Sequence, residues 1–160
     1  MFTSTITYKI GDATNPEAQG NKLIAHCCNN VGAWGKGFVL AVSKKWPSVE
    51  KAYRDWHRGK SNNDFDFGSV QFVQVEADTW VANLIGQHGI ASRSNPFPIR
   101  YNAIEQGLVK VAAFAATNNC SIHMPRIGSG LAGGRWEMIS SIIEQTLINK
   151  GLSVTVYDLA

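Results

Sequence analysis

Short apolar segments alternate with longer amphipathic segments along the chain. Strands are predicted where β-branched and aromatic residues cluster between turn residues, at 5–10, 22–28, 69–76, 79–85, 121–124 and 152–157. Helices are predicted where apolar residues recur at helical spacing, at 37–58, 100–117 and 135–149. Pro47 lies inside the first of these segments and is expected to break or bend it. The pattern is that of an α/β protein.

Most of the predicted strands are separated by segments of helical length. Such strands need crossover connections, so the sheet is expected to be largely parallel, with helices on both faces. The strands 69–76 and 79–85 are the exception, because only the turn at 77–78 separates them. The 160 residues contain no repeat or linker and suffice for one buried core, so we predict a single domain over 1–160.

Composition and charge narrow the class of protein. No segment approaches the ~20 apolar residues of a membrane span, and residues 1–11 are too polar for a signal peptide. Three cysteines, an odd number, disfavour a disulfide framework and favour the cytoplasm. The net charge of +3 is expected to be spread along the chain, which favours phosphate-bearing small molecules over a nucleic-acid groove.

Three loops that follow predicted strands carry unusual residues: 29–37, 86–98 and 127–134. Ligands of parallel α/β sheets bind beyond the carboxyl ends of the strands, where these loops are expected. In the third loop the glycines match G-x-G-x-x-G, a spacing that brings backbone N–H groups to a pyrophosphate. Two facing glycine-rich segments would suit a diphosphate. The alternative is that these glycines are only turn and cap residues.

Two other interpretations of these residues are disfavoured. A dinucleotide-binding dehydrogenase places its glycine loop after the first strand, whereas only one helix and one strand follow residue 134. A zinc site is suggested by His26, Cys27, Cys28, Cys120 and His123, but neighbouring strand residues, and residues three apart, point to opposite faces of a sheet. We therefore expect neither a bound metal nor a cofactor.

Four motifs, taken in order, resemble those of the macro domain, an ADP-ribose-binding α/β/α module. They are GDAT after the first strand, AHCCNNVGAWGKGF after the second, MPRIGSGLAGGRW after the penultimate strand and VTVYDL at the end. With the segment WPSVEKAYRDW, they are most similar to the branch containing ADP-ribose 1''-phosphate phosphatase and terminal ADP-ribose protein glycohydrolase. The resemblance implies a three-layer α/β/α fold, a mixed and mostly parallel six-stranded sheet, and a cleft for ADP-ribose or a derivative.

The resemblance also implies roles for individual residues. Asp12, with Ala13 beside it, would accept the adenine amino group, and Tyr157 would pack against the adenine ring. Asn29 would lie near the distal ribose, and Trp34, inside the phosphate loop, is expected to close over the proximal ribose. The remaining ligand-binding residues are expected in two facing segments: Gly35, Lys36, Gly37 and Phe38 in one, and Ile127, Gly128, Ser129, Gly130, Leu131 and Ala132 in the other.

Three of these residues could instead have structural roles that involve no ligand. Asp12 is also a typical cap or turn residue, and Asn29 a typical turn residue. Tyr157 would equally suit an ordinary core position at the end of a strand. The sequence alone leaves these alternatives open.

The catalytic pair of the glycohydrolase is not found at the matching positions. That branch uses a lysine where this chain has Gln87, and an aspartate where it has Ala132. Neither replacement can form an imine or act as a general base, so the covalent lysine route is excluded. Both residues are still expected to line the ligand.

His88 and Asn29 are predicted to carry the remaining chemistry. His88, in the loop at the open end of the sheet, could protonate a leaving alkoxide or activate water, and Asn29 could hold that water together with Ser129. The alternative for His88 is an exposed loop histidine without a role. Arg93 is a weaker candidate for binding an added phosphate, and His26 is more simply interpreted as a core histidine.

The sequence therefore predicts a monomeric macro domain that hydrolyses an ADP-ribose derivative, above all the 1''-phosphate monoester. Protein or nucleic acid would take part only as carriers of ADP-ribose. The main alternative is a catalytically silent reader of ADP-ribose, which Gln87 and Ala132 favour. A protein ADP-ribosyl glycohydrolase and an NAD-dependent oxidoreductase are less favoured.

Overall fold

The computed structural model describes residues 5–159. Its strands are β1 Thr7–Ile10, β2 Asn21–Asn29, β3 Val70–Glu76, β4 Thr79–Gln87, β5 Cys120–Met124 and β6 Val154–Asp158. Its helices are α1 Phe38–Lys45, α2 Pro47–Arg58, α3 Tyr101–Asn118 and α4 Trp136–Thr146, with single 3-10 turns at Lys60–Asn62 and Ile148–Lys150. Every predicted element is confirmed, with ends displaced by a few residues at most.

The six strands form one mixed sheet in the order β1-β6-β5-β2-β4-β3. All neighbouring strands are parallel except β3 and β4, which form the predicted hairpin around residues 77–78. Because the strands are parallel, the ends of β2, β4, β5 and β6 meet at one edge of the sheet, called here the carboxyl edge. The predicted largely parallel sheet is confirmed.

Alternate residues of the central strands face two separate cores. In β2, Leu23 and Ala25 belong to the core under α3 and α4, whereas Ile24 and Cys28 belong to the core under α1 and α2. A strand buried on both faces has apolar residues at successive positions rather than at alternate ones. The three layers of the α/β/α prediction are therefore confirmed.

The break between α1 and α2 falls at Trp46, where the sequence predicts it. Pro47 is the first residue of α2, a position at which its missing N–H leaves no helical hydrogen bond unmade. The indole of Trp46 donates to Glu76 at the end of β3, 3.2 Å away. As a result α1 runs away from the carboxyl edge, and α2 returns to it.

Within residues 5–159, no helix combines the length and the apolar character needed to cross a membrane.

Candidate functional site

Three loops converge at the carboxyl edge of the sheet: 30–37 after β2, 88–100 after β4 and 125–135 after β5. The first two are joined by the N–H of Asn30, which donates to the carbonyl of Gln87 over 3.1 Å. The second and third are joined by the N–H of Ile99, which donates to the carbonyl of Ala132 over 3.1 Å. The first and third loops lie side by side, since a Cβ built on Gly37 would be 3.6 Å from the side chain of Leu131. We call the space between these loops the cleft.

Backbone N–H groups line the cleft on both sides. Within the described part of the chain, those of Gly35, Lys36 and Gly37 on one side, and of Gly130 and Leu131 on the other, donate to no protein acceptor. A Cβ added at Gly35 or at Gly130 would meet no other atom within 4 Å, so both segments are open to an entering ligand. Successive free N–H groups of this kind form an anion-binding surface.

The glycines of the third loop allow it to fold back on itself. The N–H of Gly134 donates to the carbonyl of Gly128 over 2.7 Å, and that of Gly133 to the carbonyl of Gly130 over 3.1 Å. Gly128 and Gly133 have φ angles of 71° and 75°, in the left-handed region that favours glycine. The G-x-G-x-x-G spacing thus marks a compact turn at the start of α4.

Six of the predicted ligand-binding residues are buried, each with less than a tenth of its surface exposed: Ala13, Asn29, Trp34, Ile127, Ala132 and Tyr157. For three of them, Asn29, Trp34 and Tyr157, the side-chain contacts show a structural role.

Asn29 organises the first loop. Its side-chain Oδ1 accepts from the N–H groups of Val31 and Ala33, each at 3.0 Å, and its Nδ2 donates to the carbonyl of Ala33 over 2.8 Å. The Oδ1 is fully occupied by these donors, whereas Nδ2 uses only one of its two hydrogens. The contacts bear out the turn alternative, and the catalytic role of Asn29 stays a prediction.

Helix α2 secures this loop through side chains whose role the sequence does not reveal. The hydroxyl of Tyr53 donates to the carbonyl and to Oδ1 of Asn29, at 2.6 and 2.9 Å, and burial raises the pKa of Tyr53 so that the donor proton stays in place. Arg54 donates to the carbonyl of Gly32 over 2.9 Å, and the ring of His57 leaves no room for a side chain at Gly32. Helical spacing identifies Tyr53 only as a core residue.

Trp34 belongs to the core under α1 and α2. Its indole donates to the hydroxyl of Ser43 over 2.6 Å, and its ring packs edge-on against His26 and tilted against Tyr53. These contacts give the ring a structural role, and its predicted contact with a ribose stays a prediction. Its burial fixes the loop at its midpoint, directly before Gly35.

Tyr157 is also turned inward. Its hydroxyl is hydrogen-bonded to Nδ1 of His123 over 2.7 Å, and Nε2 of the same histidine is hydrogen-bonded to Ser121 over 2.8 Å. This buried polar chain along β5 and β6 explains why a tyrosine is found at the position. The burial of the ring agrees with the core alternative, and the stacking on adenine stays a prediction.

Asp12 is exposed in the loop that follows β1. Its Oδ1 accepts from the N–H and the hydroxyl of Thr14, at 2.8 and 2.7 Å, which makes it the cap of a turn. Within the described residues its Oδ2 has no hydrogen-bond donor, so this oxygen is free to accept from a ligand. The cap alternative is borne out, and it is compatible with the predicted adenine contact.

His88 lies in the second loop, and the two positions that match the glycohydrolase pair, Gln87 and Ala132, lie next to that loop. His88 is exposed; its Nδ1 lies 3.4 Å from the side-chain amide of Asn30, and its ring is 5.9 Å from that of Phe67. Gln87 donates to the carbonyl of Gly89 over 3.0 Å. Ala132 presents no side chain to the cleft, being 4% exposed.

The other predicted residues divide between scaffold and surface. The hydroxyl of Ser129 donates to the carbonyl of Arg126 over 2.8 Å, and Phe38 packs beside His26 at the start of α1. Lys36 and Arg93 are exposed. Phe97, which the sequence does not single out, lies against Gly133 and is 67% exposed at the cleft.

The cysteines and histidines of the core serve packing. Within residues 5–159, no three side chains of the metal-binding types come together. His26 donates to Oδ1 of Asn83 over 2.5 Å, and burial lowers its pKa to about 4. Burial likewise raises the pKa of Cys27 to about 12, so this thiol is unreactive. The interpretation of His26 as a core histidine is confirmed.

Solved structures with the same architecture share much of this sequence. A macrodomain protein from Streptomyces coelicolor is 54% identical over 96% of this chain and 98% of its own, with a TM-score of 0.86. The chain belongs to the macrodomain family. A protein of unknown function from Bacteroides thetaiotaomicron is 55% identical over the same shares of the two chains, with a TM-score of 0.91. No family model matches the sequence of this macrodomain.

Curated relatives are more distant. ADP-ribose 1''-phosphate phosphatase of Candida albicans is 28% identical over 88% of this macrodomain and 92% of its own length. Human ADP-ribose glycohydrolase OARD1 is 26% identical over 98% of this macrodomain and 93% of its own length. Mouse chromodomain-helicase-DNA-binding protein 1-like is 28% identical over 98% of the macrodomain, which spans only 18% of that relative's length; for its zebrafish counterpart the share is 16%.

Removing the hydroxyl of Tyr53 should destabilise the protein. In Tyr53→Phe the carbonyl of Asn29 loses its donor in a buried setting, which costs about 1–3 kcal/mol of unfolding free energy. Urea denaturation measures this loss. Tyr8→Phe is the matched control, because the Tyr8 hydroxyl only accepts from Trp136 at an exposed site and should cost less than about 0.5 kcal/mol. Equal losses in the two variants would contradict the assigned role of Tyr53.

The two buried histidines should make the protein less stable in mild acid. Burial lowers the pKa of His26 and of His123 to about 4, below the 6.5 of an unfolded histidine, so in this range the unfolded chain binds more protons. Their contribution is complete above pH 6.5 and is lost as the pH falls toward 4. We expect a loss of about 1.4 kcal/mol per pH unit for each histidine, measured by urea unfolding at several pH values.

A single substitution separates this effect from general acid unfolding. His123→Gln should remove about half of the dependence between pH 6.5 and 4 and leave the part due to His26. An unchanged dependence in this variant would exclude His123 as a source.

Proposed function

We propose that this macrodomain binds ADP-ribose, with the diphosphate in the cleft between the segments 35–37 and 130–131. The observation that carries the proposal is the pair of facing segments whose N–H groups lack protein acceptors within the described part of the chain. Two curated relatives that are similar over nearly their whole lengths are named for ADP-ribose substrates, which supports the same ligand here.

With the diphosphate placed there, specific residues would border the adenine and the distal ribose on either side of it. The free Oδ2 of Asp12 is suited to accept from the adenine amino group, and the second loop, with His88, would border the distal ribose. Phe97 offers the exposed aromatic ring at the cleft that neither Trp34 nor Tyr157 provides. Lys36 would add positive charge near the phosphates.

A carboxylate placed in the first segment should weaken binding. Gly35→Glu brings a negative charge next to the two phosphates, and about 1.4 kcal/mol of repulsion corresponds to a tenfold rise in Kd. Isothermal titration calorimetry with ADP-ribose measures the change. Gly35→Ala is the control and should bind within about threefold of the parent, because the position is open and does not require a positive φ. No heat with the parent protein would refute the proposed function.

For catalysis we propose hydrolysis of the 1''-phosphate monoester of ADP-ribose. A water oxygen attacks the phosphorus, the bond between phosphorus and O1'' breaks, and the protonated His88 imidazole donates its proton to the departing sugar oxygen. The attacking water returns a proton to the imidazole, so that ADP-ribose and inorganic phosphate are the products. His88 is an exposed imidazole of the second loop, which is the reason for the assignment.

The second candidate is a silent reader that binds ADP-ribose without turnover. Two observations favour it: the Gln87 side chain is engaged with the carbonyl of Gly89, and Ala132 is buried. Neither position supplies an acid, a base or a nucleophile. The reader and the phosphatase share the cleft and differ only in turnover.

Turnover separates the two candidates. We expect the parent protein to release phosphate from ADP-ribose 1''-phosphate, and His88→Gln to lower kcat by about 100-fold while the Kd for ADP-ribose stays within about twofold. Colorimetric detection of free phosphate is the measurement. Binding without release by the parent protein would establish the reader and refute the phosphatase. Release that persists in His88→Gln would exclude His88 as the acid.

A further inference from the structure

A serine, a histidine and a tyrosine form a hydrogen-bonded chain on one face of the sheet. The Oγ of Ser121 lies 2.8 Å from Nε2 of His123, and Nδ1 of His123 lies 2.7 Å from the hydroxyl of Tyr157. A nucleophile, a base and a group that orients the base follow one another in the same way in enzymes that form acyl intermediates on serine. The proposed function uses none of the polar atoms of these three side chains.

Strand geometry brings the three side chains together. Ile122 of β5 belongs to the core under α3 and α4, so its neighbours Ser121 and His123 point to the other face of the sheet. Val156 of β6 belongs to the same core, so Tyr157 points to that other face as well. Because β5 and β6 are paired in the sheet, the backbone fixes the spacing of the chain.

The burial of His123 keeps its imidazole neutral near pH 7. Burial, with a smaller contribution from the charges of Lys22 and Lys9, lowers the pKa of His123 to about 4. A neutral imidazole has one protonated nitrogen and one acceptor nitrogen. When Nδ1 donates its proton to the oxygen of Tyr157, Nε2 is able to accept the proton of Ser121.

Ser121 lies beside a pocket at the edge of the sheet opposite the cleft, where β2 and β5 begin. The pocket has a volume of about 530 Å³, which suits a small molecule, and Ser121 is among the residues that line it. Ser121 is partly exposed, whereas His123 and Tyr157 are buried. The nucleophile is therefore the member of the chain that a small molecule is able to reach.

The lining of this pocket suits an uncharged polar molecule. None of the described residues that line it has a charged side chain, and the polar ones include Asn21, Asn119 and Ser153. The backbone N–H groups of Gly20 and Ser153, both in the lining, donate to no acceptor within the described part of the chain. Free N–H groups are the donors that an acyl-transfer site offers to the carbonyl oxygen of its substrate.

We propose that Ser121, His123 and Tyr157 form a second catalytic site, which hydrolyses small uncharged carboxylic esters. The Oγ of Ser121 bonds to the carbonyl carbon of the ester while Nε2 of His123 takes the proton of Ser121. The bond from that carbon to the alcohol oxygen breaks, and His123 gives the proton to the departing oxygen. A water molecule then attacks the acyl group and gives a proton to His123, which passes it to the departing Oγ of Ser121. The products are a carboxylic acid and an alcohol.

The third member of the chain is a neutral tyrosine, because burial raises the pKa of the Tyr157 hydroxyl. A neutral hydroxyl stabilises an imidazolium less than a carboxylate does, so we expect slow turnover of ordinary esters. With p-nitrophenyl acetate the leaving group departs without a proton. Acylation of Ser121 by this probe should therefore outpace deacylation, and the acyl form should accumulate.

Acylation by p-nitrophenyl acetate tests the nucleophile. Release of p-nitrophenolate by the full chain should begin with a burst of about one equivalent per protein, and peptide mapping by mass spectrometry should find the acetyl group on Ser121. Ser121→Ala should lose both the burst and the modification. Ser140→Ala, which removes a hydroxyl on the surface of α4, is the matched control and should react like the parent.

Two further variants test the base and the group that orients it. His123→Gln should acylate Ser121 at least about 100-fold more slowly, because an amide cannot take the proton, and urea unfolding checks that this variant folds. Nitrogen-15 NMR of the parent near pH 7 should show His123 with its proton on Nδ1. Tyr157→Phe should reduce the share of this tautomer and slow acylation about tenfold, whereas a purely structural hydroxyl would leave the tautomer unchanged.

Several results would overturn the second site. They are a parent protein without acetyl on Ser121, a burst that persists in Ser121→Ala, an unchanged rate of acylation in His123→Gln, and a parent tautomer with the proton on Nε2. Saturating ADP-ribose should leave the burst unchanged, because the cleft lies at the other edge of the sheet, and inhibition by ADP-ribose would place the reaction in the cleft instead. None of these measurements requires that the proposed function be correct.

Discussion

Asn29 is the residue on which the cleft depends, because its side chain satisfies the inner polar groups of the first loop. Where a buried strand ends, backbone N–H groups still need acceptors. The Asn29 amide provides them for Val31 and Ala33, and Tyr53 holds that amide from α2. The chain can then emerge at the surface beside the cleft, where the N–H groups of 35–37 have no acceptor among the described residues. Because the inner N–H groups of the loop have acceptors, the outer N–H groups at 35–37 can stay free. Free N–H groups of this kind can donate to an anion.

The fold and the place of the cleft could be predicted from the sequence because each rests on a local signal. Strands that are buried on both faces appear in the sequence as continuous apolar runs. The break between the first two helices is indicated by Pro47 alone. Gly37 and Gly128 have φ angles of 84° and 71°, so the backbone itself requires glycine there. Parallel strands then bring the loops that contain these glycines to one edge. These inferences concern backbone geometry, which residue type constrains strongly.

The direction of side chains could not be predicted in the same way. The local sequence does not determine whether a tryptophan in a loop faces the ligand or the core. Trp34 faces the core because its indole donates to Ser43 and its ring packs against Tyr53. The partner of Tyr157 is His123, 34 positions earlier in the chain. Each of these properties depends on residues that only the folded chain brings together.

The residues that border the cleft limit which bond can be broken. Cleavage at C1'' through an imine needs an amine nucleophile and a carboxylate, and the chain has Gln87 and Ala132 instead. Cleavage at phosphorus needs less from the protein: a held diphosphate that orients the substrate, and one proton for the departing sugar oxygen. The free N–H groups of 35–37 and 130–131 are suited to the first requirement, and His88 to the second. Chemistry at phosphorus is therefore compatible with this set of residues, whereas imine chemistry is not.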